Sequence, residues 1–207
     1  MNEGYIYQIM VMAAYLWPEG LQVQKDPAAY IRTFIEKNYN QQTAVDGIAV
    51  LTTLRSQNKM LADNGRKDAI YAKLLNAGVC FASNSYEKSM GLLAFFIGLT
   101  YEIWGMRFDQ TVKEKLYTIA GFLRLNKEEV DILINLTKQE ELNPREAALK
   151  ILGLPSNANR DDIKSAYRRL SLKYHPDRNL DKSGTEKEES ERKFKEIVAA
   201  KQLLDSL

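Results

Sequence analysis

Apolar residues recur along this chain at steps of three and four, the period of a helix with one buried face. Ile6, Ile9, Met10, Ala13 and Leu16 make a first stripe, which stops near Pro18, Glu19 and Gly20. Asp26 followed by Pro27 has the form of an N-cap with proline in the first turn. Tyr30, Ile31, Phe34 and Ile35 continue from it on one face. The same spacing predicts helices near 44–57, 66–81, 85–104 and 109–122. Asn126 with Glu129 has the spacing of a capping box, and Val130, Leu133, Ile134 and Leu136 supply the buried face behind it. No stretch alternates apolar and polar residues as a strand does, so the expected fold class is all-α.

Polar TKQEELN (137–143) interrupts the pattern, which places a linker at 139–143 between a block 1–138 and a block 144–207. The larger block is long enough to bury a core of its own, and the smaller should be only marginally stable. In the smaller block, Asn143-Pro144 opens a helix that runs from Arg145 to Leu152 and stops at Gly153, with Pro155 beyond. Asn159 with Asp162 then caps a second helix, whose one face carries Ile163, Ala166, Tyr167, Leu170 and Tyr174. Lys164, Arg168 and Lys173 fall on another face, with Arg169 beside them. Pro176 disfavours a helical residue before it, so this helix breaks at Tyr174-His175. After the polar loop DRNLDKSGTEKEES comes a long helix carrying Phe194, Ile197, Val198, Ala200, Leu203 and Leu204. Two amphipathic helices joined by one loop should pack antiparallel, which leaves 175–177 exposed at the tip of the hairpin.

Charge sharpens this division. The whole chain has a formal net charge of +2, with no strong nucleic-acid signature. Residues 1–143 carry 15 Lys and Arg against 16 Asp and Glu, whereas 144–207 carry 14 against 11. The one cysteine, Cys80, lies in the apolar run LLNAGVCFA and reads as a buried, inert thiol. With a single histidine elsewhere it makes no zinc site, and a chain with no disulfide fits a reducing, cytoplasmic compartment. The longest apolar run, GLLAFFIGL (91–99), falls short of the roughly 18 residues of a membrane span. The N-terminus has no basic segment or small-residue cleavage site, so no signal peptide is expected. A Walker A loop, a nucleotide fingerprint and a nucleophile–base pair are all absent, and the chain reads as a protein without cofactor, metal or catalytic residues, not an enzyme.

The only histidine stands in KYHPDRN (173–179). Together with ILG before the basic helix, AYRRL within it and KFKEIVAAKQLL after the charged loop, this segment resembles a J-domain of the DnaJ family. The resemblance implies a module that binds a DnaK-type ATPase chaperone and stimulates its ATP hydrolysis while doing no chemistry itself. On physical grounds Pro176 fixes its own φ and stiffens the loop tip. Asp177 can accept two hydrogen bonds from an arginine of the partner, and His175 offers a ring for contact and a nitrogen to brace the loop. Lys164, Arg168, Arg169 and Lys173 form a positive stripe suited to an acidic partner surface, next to Arg178, and such charge mainly raises the encounter rate. Tyr167 is expected to pack with its ring and reach the same surface with its hydroxyl. Two features depart from the family pattern. Lys201 stands where an aromatic residue is usual and should snorkel outward, and the usual short fourth helix does not follow. The family's Gly/Phe-rich linker and CxxCxGxG repeats are also absent, so a full DnaJ-type holdase is not expected.

The first block resembles a TerB-like helical domain in WPEGLQVQKDPAAYIRTFI and YTIAGFLRLNKEEVDILINL. A TerB-like domain followed by a C-terminal J-domain is the layout of DjlA-type co-chaperones. Glu19 and Asp26 stand where TerB-like domains carry acidic residues, but in TYEIWGMRF (100–108), which weakly echoes AYLWPEGLQV (14–23), Trp104 replaces the corresponding Asp, and the reading is no metal. The DjlA-type membrane anchor is absent, which suggests a soluble relative. Two functions follow. In the first, the protein brings a DnaK-type chaperone to clients or partners chosen by the helical domain. In the alternative, a stress-response adaptor, the TerB-like domain carries the main function.

Overall fold

The computed structural model describes residues 3–21, 23, 25–105, 108–138, 144–179 and 184–206. Among these are ten α-helices, one 3-10 turn and no strand, so the expected all-α class holds. The helices are α1 (Glu3–Leu16), α2 (Pro27–Asn38), α3 (Gln41–Asp63), α4 (Lys67–Phe81), α5 (Tyr86–Trp104), α6 (Gln110–Phe122), α7 (Lys127–Lys138), α8 (Pro144–Ile151), α9 (Arg160–Tyr174) and α10 (Thr185–Ser206). The chain forms two compact units. One comprises Met1–Ser85 and Phe95–Asn126, the other Tyr86–Ala94 and Lys127–Leu207. Helix α5 thus gives its first half to the second unit and its second half to the first. The expected linker at 139–143 and the cap at Asn143 lie outside the described residues.

In the first unit α1 is apolar on nearly every side, and it is buried accordingly, packed against α3, α4 and α6. Asp26 caps α2 as expected, its carboxylate accepting from the Ala28 N–H at 3.0 Å. Asn40 starts α3 by accepting from the Thr43 N–H at 2.8 Å, three residues before the helix expected there. Cys80 corrects the sequence reading, for the thiol is exposed. Helix α4 buries Leu74, Ala77 and Phe81, and Cys80 falls off that stripe. Tyr71, Leu75 and Val79 are exposed as well, Val79 by 75%.

Helix α2 meets α5 through an aromatic cluster. Phe34 and Tyr30 stack on Phe95 with ring centroids 4.0 and 5.6 Å away, and the Tyr30 hydroxyl donates to the Phe95 carbonyl at 3.4 Å. Gly98 permits this approach, because a Cβ there would lie 2.1 Å from the Tyr30 hydroxyl and 2.8 Å from its Cζ. Tyr30 has little room to yield, and burial pushes its phenol far above the usual range. Gly98→Ala gains about 1 kcal/mol of helix propensity but overpacks by about 1–3 kcal/mol. The 2.1 Å overlap places the cost at the upper end of that range, so the expected result is a net loss of about 1–2 kcal/mol, read as a lower urea midpoint with an unchanged slope. An unmoved midpoint would mean that Tyr30 can swing away.

In the second unit α10 is central. Four consecutive residues, Ile197 to Ala200, are buried, because α7, α8 and α9 all pack on this helix. Helix α7 contributes Val130, Leu133, Ile134 and Leu136. It lies in this unit, whereas the expected first block ran to 138. Helices α9 and α10 are antiparallel. The Lys193 ammonium lies over Tyr174 near the end of α9, and that of Lys201 over Tyr167 one half-helix earlier. Lys201, expected to snorkel outward in place of an aromatic residue, keeps an aromatic neighbour. It sits 5.9 Å from the Tyr167 ring centre and pairs with Asp205.

Candidate chaperone-docking site

Helix α9 begins with a full capping box. The Asn159 side chain accepts from the Asp161 and Asp162 N–H groups at 2.8 and 3.0 Å, and Asp162 accepts from the Asn159 N–H at 2.9 Å. Such a cap is worth about 1 kcal/mol. Ile163 and Ala166 face the core, which turns Lys164, Arg168, Arg169 and Lys173 to solvent, all four exposed. Tyr167 is half-buried. Burial, with the charges of Glu87 and Asp205, raises its phenol, so the hydroxyl stays protonated.

The helix ends at Tyr174, and His175 is extended, with φ −58° and ψ 132°, as the following proline requires. Pro176–Arg178 form a single 3-10 turn capped by His175, whose Nδ1 accepts from the Asp177 N–H at 3.1 Å. That bond sets the imidazole tautomer, since an accepting Nδ1 carries no proton. Asn179 closes the turn from behind. Its buried amide donates to the Lys173 and His175 carbonyls at 3.0 and 2.8 Å. These carbonyls belong to the end of α9, where no further helical N–H is available. The result is a rigid tip that aims Asp177 outward, its side chain 85% exposed, while the His175 side chain is 40% exposed. Pro176 and Arg178 are exposed beside it.

His175 is held by more than its own turn. Its ring meets Phe194 edge-on, with centroids 5.4 Å apart and planes at 74°. Tyr86, at the start of α5, stacks on Phe194 at 5.9 Å and 28°. The Tyr86 hydroxyl donates to Glu129 at 3.5 Å, and burial and the Glu129 carboxylate together raise the phenol well above its usual range. Glu129 is buried and faces Lys195 at 3.4 Å, which also pairs with Glu128. Burial opposes the charge on Lys195, but these carboxylates outweigh it and raise its pKa. A cleft of about 440 Å³ opens between Tyr86, Glu87, His175, Pro176, Glu191, Phe194 and Lys195.

The sequence-predicted residues therefore fall into two neighbouring sets, the four cations with Tyr167 along α9 and the turn 175–178 at its end. Sequence reasoning passed over Asn179, although a polar residue directly after a proline-broken helix is placed to satisfy its last carbonyls. It also passed over the support given by Tyr86, Glu129 and Lys195. Among the described residues no cluster of three or more His, Cys, Asp or Glu could hold a metal ion.

An antiparallel hairpin with a basic first helix and a His-Pro-Asp turn at its tip defines a J-domain. The family model described as the DnaJ domain matches residues 148–206, so this segment of the chain is a J-domain. DnaJ homolog subfamily B member 6-B of Xenopus laevis is 54% identical over 54 residues, 26% of this chain and 20% of that protein. The chaperone protein DnaJ of Fusobacterium nucleatum is 47% identical over 55 residues, 27% of this chain and 14% of its own length. DnaJ homolog subfamily C member 7 of Mus musculus is 36% identical over 96 residues, 45% of this chain and 19% of that protein. The match thus spans a fifth or less of each of these relatives. No solved structure matches the chain.

Proposed function

We propose that this protein is a co-chaperone that docks on a DnaK-type ATPase chaperone through α9 and the His175-Pro176-Asp177 turn and stimulates its ATP hydrolysis. It performs no bond chemistry itself, because the partner holds the nucleotide. The observation that carries this reading is the braced turn, which presents the Asp177 carboxylate to solvent beside four exposed cations. A fixed, exposed carboxylate suits a bidentate contact with a partner arginine, and the cations steer an acidic surface toward it. The first unit supplies client or partner specificity in this reading, in the manner of the TerB-like half of a DjlA-type protein. The exposed apolar line Tyr71, Leu75 and Val79 on α4 supports a binding role for it.

The test is ATPase stimulation of a DnaK-type chaperone at rising salt. Stimulation at subsaturating co-chaperone should weaken from low to physiological salt, where the screening length shrinks to about 8 Å. Arg168→Glu with Arg169→Glu should reproduce the high-salt behaviour at low salt by lowering the association rate. No stimulation by the wild-type protein would overturn the function. A salt-independent rate would reduce the cations to a solvated face.

A further inference from the structure

We infer that Tyr86 is a positioning residue for the docking turn, fixing the orientation of the His175 imidazole through the Phe194 ring. The inference rests in part on the function proposed above. The Phe194 ring contacts both His175 and Tyr86, at 5.4 and 5.9 Å. Tyr86 is itself held at two points. Its ring lies on Phe194, and its hydroxyl donates to Glu129, a carboxylate only 3% exposed. Lys195 follows Phe194 in the chain and pairs with that same Glu129, so the anchor and the ring it serves are coupled. The geometry also says what happens without the Tyr86 ring. Tyr86 forms a wall of the cleft that His175, Pro176 and Phe194 line. Removing it widens the cleft on the side where Phe194 and the imidazole could turn, and fewer molecules then hold His175 in its docking rotamer. Tyr86 lies outside residues 148–206, so the J-domain alone lacks this support.

The experiment uses the full chain with Tyr86→Leu, which keeps apolar bulk, and Tyr86→Phe, which keeps the ring. His175 is the only histidine, so its imidazole C–H resonances are identified without ambiguity by NMR. Tyr86→Leu should shift those resonances and raise the half-saturating concentration in the ATPase assay about two- to tenfold, with the plateau rate unchanged. Tyr86→Phe, which keeps the ring on Phe194 but loses the Glu129 anchor, should lie closer to wild type than to Tyr86→Leu in both. If circular dichroism shows that Tyr86→Leu is unfolded, Tyr86→Met takes its place. The inference needs both effects. Unmoved resonances or an unmoved half-saturation in the ring-less variant would overturn it, and so would a Tyr86→Phe protein that behaves like Tyr86→Leu. If wild type gives no stimulation, the proposed function falls and the resonances alone decide the positioning role.

Discussion

His175→Gln is expected to remove stimulation of the DnaK-type ATPase while leaving the helices formed. The local losses are small. The variant gives up the edge contact with Phe194 at 5.4 Å, worth about 0.5–1.5 kcal/mol. It also gives up a rigid acceptor for the Asp177 N–H, and a flexible amide replaces only part of that cap, worth about 1 kcal/mol in full. Together these should lower stability by roughly 1–2 kcal/mol, a shift of a few degrees in a thermal melt. Docking suffers more, because the tip loses both its ring and the bond that orients Asp177. A loss of about thirtyfold or more in stimulation efficiency is the size of a hot-spot truncation. Circular dichroism and single-turnover ATP hydrolysis measure the two quantities side by side. Full stimulation by this variant would remove His175 from the docking surface.

The largest stability effect is expected at Lys195. Lys195→Met removes the Lys195 ammonium from Glu129, whose side chain is 4% exposed. Breaking a buried pair from one side costs about 3–5 kcal/mol when nothing else supports the remaining charge. Here Tyr86 still donates to that carboxylate, and the expected loss is about 2–3 kcal/mol, read by urea unfolding. Adding Glu129→Gln should restore part of it, and the double-mutant cycle isolates the pair. The pH window follows from the sign of the lysine shift. Lys195 has a folded pKa above the ordinary 10.5, so its contribution is complete below that value and is lost as pH rises through the folded one. Melts between pH 6 and 8 should therefore show the full difference, whereas an equal stability of variant and wild type at neutral pH would dismiss the pair as solvated.

The turn was legible because its causes are local. Asn159 and Asp162 start α9, Pro176 stops it, and the polar residues between the apolar ones set its exposed face, all within one stretch of chain. Other features were hidden for physical reasons. The run LLNAGVCF looks buried throughout, yet a helix hides only one side of it, and Cys80 falls on the open side. Helix α3 reaches from Gln41 to Asp63, well past the expected 44–57. Its ends carry polar residues, so the apolar spacing fades before the helix does. Glu129 was read as a cap on its own helix, while its carboxylate also meets Tyr86, 43 residues away in sequence. Nothing local marks such a partner, because any tyrosine and any buried acid would fit the pattern equally well.

The sharing of α5 between the two compact units bears on how this protein can be cut and recombined. A J-domain is commonly imagined as a cassette, lifted from one chain and set on another at a loop. Here the unit that contains it also claims Tyr86–Ala94, the first half of a continuous helix. A graft of 127–207 leaves that half-helix behind. Residues that it covers, Phe194 among them, would then face water or the new host, and a cut between Ala94 and Phe95 would sever helical hydrogen bonds that no cap replaces. A chimera that retains wild-type docking must therefore carry two separate pieces of this chain, as an interlocked insert.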